Sequence, residues 1–230
     1  MIVFLQKNGE YMTKIFQYFC FVISCPCLIF GIFIDNLPQP YNEVNLLPYN
    51  AQGWFLNGSE LESIIKTNHP KTVIEVGCWI GLSTRFIASL LPDEGKLYAI
   101  DHWLGSVENQ PGEWAYVPVL PVLYEQFLSN VIHAGLTEKI IPIRMDSLKA
   151  AEYLHSLKEP IIPDLIYLDA SHDTESVYAD LNAWYPFVQG HGNICGDDWI
   201  WNSVQLAVKN FAKKHKLKIE ASGNFWCLYE

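Results

Sequence analysis

Carboxylates close four of the apolar runs in this chain. Asp101 ends "KLYAID", Asp146 ends "KIIPIRMD", Asp169 stands near the end of "DLIYLDA", and Asp197 and Asp198 end "GNICGDD". Another acid, Glu75, lies inside "TVIEVG", two positions before Gly77. The two oxygens of Asp101 suit the adjacent hydroxyls of a ribose. Asp169, Asp197 and Asp198 form a different kind of group. If their strands are neighbours, strand spacing brings them to one rim. Unpaired carboxylates that close raise one another's pKa values, and a divalent cation removes the repulsion. Oxygen ligands with open positions suit Mg2+, with Mn2+ or Ca2+ as substitutes. The plainer alternative is that Asp197 and Asp198 cap the next helix and Asp169 holds a loop amide.

Glu75 belongs to the stretch "EVGCWIGLST", which reads as a glycine-containing loop between a strand and a helix. Gly77 allows close approach of backbone to a ligand. Gly81 allows a tight turn into the helix, whose first amides favour an anion. Trp79 stands where a dinucleotide-binding loop places its second glycine, and a carboxylate at Glu75 would oppose a pyrophosphate. S-adenosylmethionine carries an ammonium and a carboxylate instead. Glu75 then faces the cation, the helix amides receive the anion, and Trp79 is tolerated with its ring turned away. The residues expected to bind this cofactor are Glu75, Gly77, Trp79, Gly81 and Ser83 in the loop and Asp101, His102 and Trp103 after the second strand. Asp146 and Ser147, where an adenine edge would be reached, and Asp169 complete the set. Asp146 and Ser147 suit a helix cap equally well. Either Asp169 or His172, in "DASHDTES", is expected to take a proton from an acceptor hydroxyl.

These residues need a scaffold that brings strand ends together. Beyond residue 58 the chain alternates strand-like and helix-like runs, the pattern of a mostly parallel sheet covered on both faces. "GSELESIIKTN" is a helix with Ser59 and Glu62 spaced as a capping box, and "TVIEVG", "KLYAID", "KIIPIRMD", "DLIYLDA" and "GNICGDD" are the strands. "KLKIEASGNFWCLYE" reads as a terminal hairpin. The connection "WLGSVENQPGEWAYVPVLPVLY" is rich in aromatic residues and has the character of a substrate lid, with Trp103, Trp114 and Tyr116 available for stacking or for ordinary packing. At 230 residues, half of them apolar, the chain fits one sizeable α/β domain. A net charge of −10 argues against a nucleic-acid partner and for a small-molecule substrate. The six cysteines show no paired zinc spacing, and a reducing compartment fits the catalytic region.

The N-terminus reads differently. Residues 15 to 34 are uncharged and long enough to span a bilayer, preceded by Lys7 and Lys14. A membrane anchor, a secretory signal, and an apolar segment packed on the domain or upstream of a start at Met12 are the competing readings. "VISC" resembles a lipoprotein box, but the apolar run continues through "PCLIFGIFI". The lysines put the N-terminus in the cytoplasm, so a single span would put the rest outside, at odds with a cytosolic cofactor. The expected organisation is an apolar segment at 1–35, a Pro/Asn-rich linker at 36–57 and one domain at 58–230. A homo-oligomer is compatible with the sequence.

"EVGCWIGLST", "AIDHW", "IRMDS", "LIYLDASHDTESVYADL" and "GNICGDDW", in this order, resemble a class I S-adenosylmethionine-dependent methyltransferase over about residues 58 to 230. The likeness is closest to the macrocin-type sugar O-methyltransferases and more distant to catechol O-methyltransferase. It implies a Rossmann-like seven-stranded sheet in the order 3-2-1-4-5-7-6 with the last strand reversed. It also implies Mg2+ bound at Asp169, Asp197 and Asp198, and O-methylation of a sugar or aromatic hydroxyl by a cytoplasmic catalytic domain. The alternatives are a metal-independent methyltransferase, a membrane-tethered S-adenosylmethionine-binding module without turnover, and an NAD-dependent oxidoreductase, which Glu75 and Trp79 disfavour.

Overall fold

The computed structural model describes residues 36–106, 109–113 and 116–230. The apolar segment at 15–34 and Trp114 lie outside them. Among the described residues no helix is long and apolar enough to cross a membrane. The chain divides after Glu43 into two compact units. The described part of the first ends in a 3-10 turn, Tyr41–Glu43, with the Gln39 amide donating to Glu43. Everything below concerns the second, Val44–Glu230.

Its strands are β1 Thr72–Val76, β2 Lys96–Asp101, β3 Ile140–Arg144, β4 Leu165–Leu168, β5 Asn193–Gly196, β6 Lys218–Ser222 and β7 Phe225–Tyr229. They form one sheet in the order β3-β2-β1-β4-β5-β7-β6. The first five run parallel, and β7 is antiparallel to both neighbours. This is the expected order, with the terminal hairpin supplying the reversed strand. Its cause is visible in the strands: central strands covered on both faces must be apolar throughout, and all four residues of β4 are buried. Ile74, Val76, Ile100, Ile166 and Ile194 pack on the face covered by α4 (Ser147–His155), α5 (Thr174–Trp184) and α6 (Asn202–His215). The alternate residues Val73, Glu75, Leu97, Leu165 and Tyr167 point to the opposite face. That face carries α1 (Gly58–Asn68), α2 (Leu82–Leu90) and α3 (Leu123–His133).

Local chemistry sets the helix ends, with two departures from expectation. Asp146 caps α4 by accepting from the Leu148 and Lys149 amides, and Asp173 caps α5 by accepting from Ser176. The Ser59–Glu62 capping box is not formed, because α1 already begins at Gly58 and the Ser59 hydroxyl donates to Glu60 at 2.6 Å. The linker expectation also extends too far, since residues 44–57 belong to the compact unit. The Leu47 amide donates to Ser129 Oγ at 2.9 Å and the Asn50 amide to Asn130 Oδ1 at 3.0 Å. Asn130 Nδ2 returns a bond to Asn50 O at 2.8 Å, and Gln126 Nε2 bonds Pro48 O at 3.0 Å. An extended strap with no ladder partner satisfies its backbone on the polar side chains of α3.

Candidate functional site

Strand order reverses between β1 and β4, and in open α/β sheets the crevice over the carboxyl ends at such a point receives ligands. Four loops meet there. Asp101, at the end of β2, binds two of them: its Oδ2 accepts from the Cys78 and Trp79 amides at 2.9 and 3.0 Å, and its Oδ1 from the Trp103 amide at 2.7 Å. Trp103 Nε1 donates to Trp79 O at 2.7 Å while its ring packs on Tyr124 and Phe127, both at 4.7 Å. Trp103 is 2 % exposed. It is therefore a latch between β2 and α3, the packing alternative of the two uses its sequence allowed. His102 is half exposed, and its Nδ1 accepts from the Leu104 amide at 3.0 Å, so that nitrogen carries no proton for Asp101.

The β1–α2 loop is strained. Trp79 has φ 50, and with Trp103 at φ 52 and Asp198 at φ 63 it is one of three non-glycine residues held left-handed in the loops after β1, β2 and β5. Strain of this kind persists where the surroundings over-determine it and is common at functional sites. The Trp79 ring turns to the strap, donating to Gln52 Oε1 at 2.6 Å and lying 5.7 Å from the Trp54 ring. Gly77 has φ 88, and a Cβ there would stand 2.0 Å from the Asp169 carbonyl oxygen. The close approach that requires this glycine is thus between the ends of β1 and β4. Gly81 has φ 81 and precedes α2 with no side-chain cap, leaving the first-turn amides of that helix available to an anion.

Glu75, expected to face the ammonium of the ligand, is fully buried. Its Oε1 accepts from the Ser83 hydroxyl at 2.5 Å, which also commits Ser83, and its Oε2 has no hydrogen-bond partner. Burial pushes its pKa up to about 7, against the lowering effect of the Ser83, Thr84 and Cys78 side chains. Asp169 is the acid that reaches the crevice. Its carboxyl makes no hydrogen bond among the described residues. Burial first, then the charges of Asp197, Asp198, Glu75 and Asp101, hold it well above the usual carboxylate range.

Asp169, Asp197 and Asp198 line one small pocket, as strand adjacency implied. Both Asp197 oxygens and one of Asp198 already have partners. Asp197 Oδ1 accepts from the Asp198 amide at 2.6 Å and its Oδ2 from the Tyr167 hydroxyl at 3.3 Å, and Tyr167 in turn accepts from Asn57 Nδ2 at 3.2 Å. Asp198 Oδ2 lies 2.9 Å from His172 Nε2. Among the described residues no three side chains gather as metal ligands do. The donor set as placed does not fit a divalent ion. His172 is held on three sides, by Asp198, by stacking on Trp201 at 5.3 Å, and by Ser203, whose hydroxyl donates to its carbonyl.

Of the residues expected at the adenine, Asp146 caps α4 through its Oδ1, and the Ser147 hydroxyl donates to Asp180 at 2.5 Å while accepting from Trp184 Nε1 at 2.9 Å. Sequence reading missed Asn57, Tyr167 and the Gln52–Trp54 segment. Tyr167 sits in an apolar strand and Asn57 before a helix, where packing and capping are the default readings. The lid connection is opened by a cleft between Trp103, Gln110, Tyr116, Tyr124 and Arg144, with the Arg144 guanidinium 4.7 Å from the centre of the Tyr124 ring.

A sheet in this order, with an acid-rimmed crevice over β1 and β4, defines the Rossmann-like methyltransferase fold. Residues 74–199, more than half the chain, match the model of a family described as a methyltransferase domain, and the chain belongs to that family. Among solved structures, an O-methyltransferase from Bacillus cereus in complex with S-adenosylhomocysteine is similar with a TM-score of 0.60. It is 15 % identical over 93 % of this chain and 96 % of its own. The O-methyltransferase TomG of tomaymycin synthesis from Streptomyces achromogenes, in complex with S-adenosylmethionine, is similar with a TM-score of 0.58, 12 % identical over 97 % and 99 %. No curated protein matches in sequence.

Proposed function

We propose that this chain is an S-adenosylmethionine-dependent methyltransferase acting on a hydroxyl of a small molecule. The observation that carries the reading is the crevice's charge. The carboxyls of Glu75, Asp101, Asp169, Asp197 and Asp198 interact with one another, and none is paired with Lys or Arg among the described residues. A ligand bearing positive charge relieves this repulsion, and one bearing a pyrophosphate aggravates it. S-adenosylmethionine, when bound, supplies an electrophilic methyl group on a sulfonium sulfur. Asp169, unpaired and at the crevice, is the residue to hold its ammonium, and the uncapped first turn of α2 is placed for its carboxylate. Asp101 accepts three amides, and since a carboxylate has about four lone-pair sites, one remains for a ribose hydroxyl. Glu75 acts from behind the loop, orienting the start of α2 through Ser83.

With Asp169 on the ammonium, His172 beside Asp198 is the residue left to take the proton of an acceptor hydroxyl. A Mg2+-dependent form, which the family resemblance implies, requires the carboxyls of Asp169, Asp197 and Asp198 to draw round one ion, which they do not do as placed. Transfer without metal needs no such movement. The catalytic unit is assigned to the cytoplasm, where its donor is made.

Calorimetry with S-adenosylhomocysteine tests the central reading: saturable one-to-one binding is expected, and its absence, or tight binding of NADH, overturns the proposal. Asp169→Asn is expected to weaken that binding by roughly tenfold, the equivalent of about 1.4 kcal/mol. Methyl transfer that persists in EDTA separates the metal-independent form from the Mg2+ form.

A further inference from the structure

The cleft between the lid connection, α3 and the end of β3 has a volume of about 320 Å³, the size at which small-molecule sites begin. It shares no lining residue with the pocket of Asp169, Asp197 and Asp198. Its apolar lining includes Leu104, Pro111, Tyr116, Leu120, Pro121 and Tyr124. Leu104 is 65 % exposed and Tyr116 46 %, so two large apolar side chains of one cleft are left for a ligand to cover. Charges of both signs stand in the same lining. Ile143 packs toward the α4–α6 face, so Arg144, the next residue of β3, turns to the opposite face and meets the Tyr124 ring. The chain has one other arginine, Arg85, which is buried and donates to the Ile80 carbonyl at 2.8 Å. Glu125 stands in the first turn of α3, where a carboxylate suits the helix dipole. Arg144 and Glu125 form no ion pair with each other or with any other described residue. Gln110 Nε2 donates to the Leu104 and Ser106 carbonyls at 3.1 and 3.2 Å, which leaves its Oε1 to accept.

We propose that this cleft is a separate binding site for a zwitterionic amino acid with an aromatic side chain, its carboxylate on Arg144 and its ammonium on Glu125 and Gln110 Oε1. Opposite charges that share an opening without touching leave space for a group that satisfies both. The guanidinium fork matches a carboxylate in shape and charge. The Tyr124 hydroxyl lies within the field of both groups: burial raises its pKa, Arg144 lowers it and Glu125 raises it. A simple organic anion fits less well, because Glu125 opposes it locally and the net charge of −10 repels it at range. An organic cation meets the corresponding objection at Arg144. A zwitterion has no net charge to be repelled and uses both groups. Its flat side chain has the rings of Tyr116 and Tyr124 to pack on. The site stands or falls independently of the methyltransferase reading.

The test is calorimetric titration of the full chain with L-phenylalanine, with phenylpropanoate, which lacks the ammonium, and with phenethylamine, which lacks the carboxylate. Phenylalanine should bind saturably, and each of the other two roughly three- to tenfold more weakly. Arg144→Gln should weaken phenylalanine by the same factor and leave phenethylamine unweakened. Glu125→Gln should weaken phenylalanine and leave phenylpropanoate unweakened. Both positions lie on the surface of the cleft, and urea midpoints equal to that of the wild type show that the variants are folded. Excess S-adenosylhomocysteine should leave phenylalanine binding in place. Absence of saturable phenylalanine binding, or phenylpropanoate binding as tightly as phenylalanine, overturns the assignment on the wild type alone. Unchanged phenylalanine affinity in both variants overturns it as well, and displacement by S-adenosylhomocysteine shows that the cleft is not a separate site.

Discussion

Glu75 shows how much one residue's meaning depends on depth. Its type and its place two positions before Gly77 single it out in the sequence, yet burial makes it a positioning residue behind the loop. Because its pKa is raised from 4.5 to about 7, the folded chain retains a proton that the unfolded chain has released between those values. This contribution to stability is complete below about pH 4.5 and is lost as pH rises through 7. A shift of that size corresponds to about 3 kcal/mol. Asp180, raised to about 6 chiefly by burial, adds a slope of the same sign at lower pH. Glu75→Gln keeps the shape and removes the titration. Urea unfolding between pH 5 and pH 8 should therefore show a flatter decline in the variant, and an unchanged slope would mean that Glu75 is ionised in the folded chain. The sequence could not reveal this, because strand alternation tells which face a residue takes but not how far it lies from water.

At the scale of elements, two glycines with similar backbone angles should behave differently. Gly77, at φ 88, faces the Asp169 carbonyl, whereas Gly135, at φ 67, has open space where a Cβ would go. Gly135→Ala should cost about 1–2 kcal/mol, the left-handed penalty alone. Gly77→Ala should cost about 3 kcal/mol or more and should abolish binding of S-adenosylhomocysteine, since the ends of β1 and β4 must separate. Equilibrium unfolding of the pair checks both values. The strap gives a second prediction. Asn130 is fully buried and bonds Asn50 twice and the Ile80 carbonyl once. Asn130→Ala should destabilise the fold by about 2–4 kcal/mol and raise amide exchange most at residues 47–52. Equal exchange there would show that the strap is held by other means. The strap was illegible in the sequence because its composition, rich in Pro and Asn, is that of a linker. Its partners lie some eighty residues away on α3.

For the molecule as a whole, the sheet makes Cys195 and Cys227 cross-strand neighbours and buries both, as it buries Cys78. All three thiols belong to the core, so opening them requires global rather than local unfolding. Alkylation followed by mass spectrometry should leave these cysteines unmodified in the native protein and label them in urea. Labelling of Cys195 or Cys227 without urea would show that the terminal hairpin opens by itself.

The strand runs and the acids at their carboxyl ends could be read directly from the chain, because apolar runs, their lengths and the turns between them repeat at short range, whereas the order of the strands across the sheet followed from the family resemblance. Given neighbouring strands, Asp169, Asp197 and Asp198 fall on one rim, and the pairing of β4 with β5 supplies that condition. The state of each group at that rim could not be read. That Asp198 bonds His172, that Asp101 holds two loops at once, that Trp103 is a latch and that Ser147 is bound to Asp180 all depend on contacts between segments far apart in sequence. A short-range pattern puts a carboxylate at a strand end. Only the packed tertiary structure determines which partner reaches it first, and so whether it is free for a ligand.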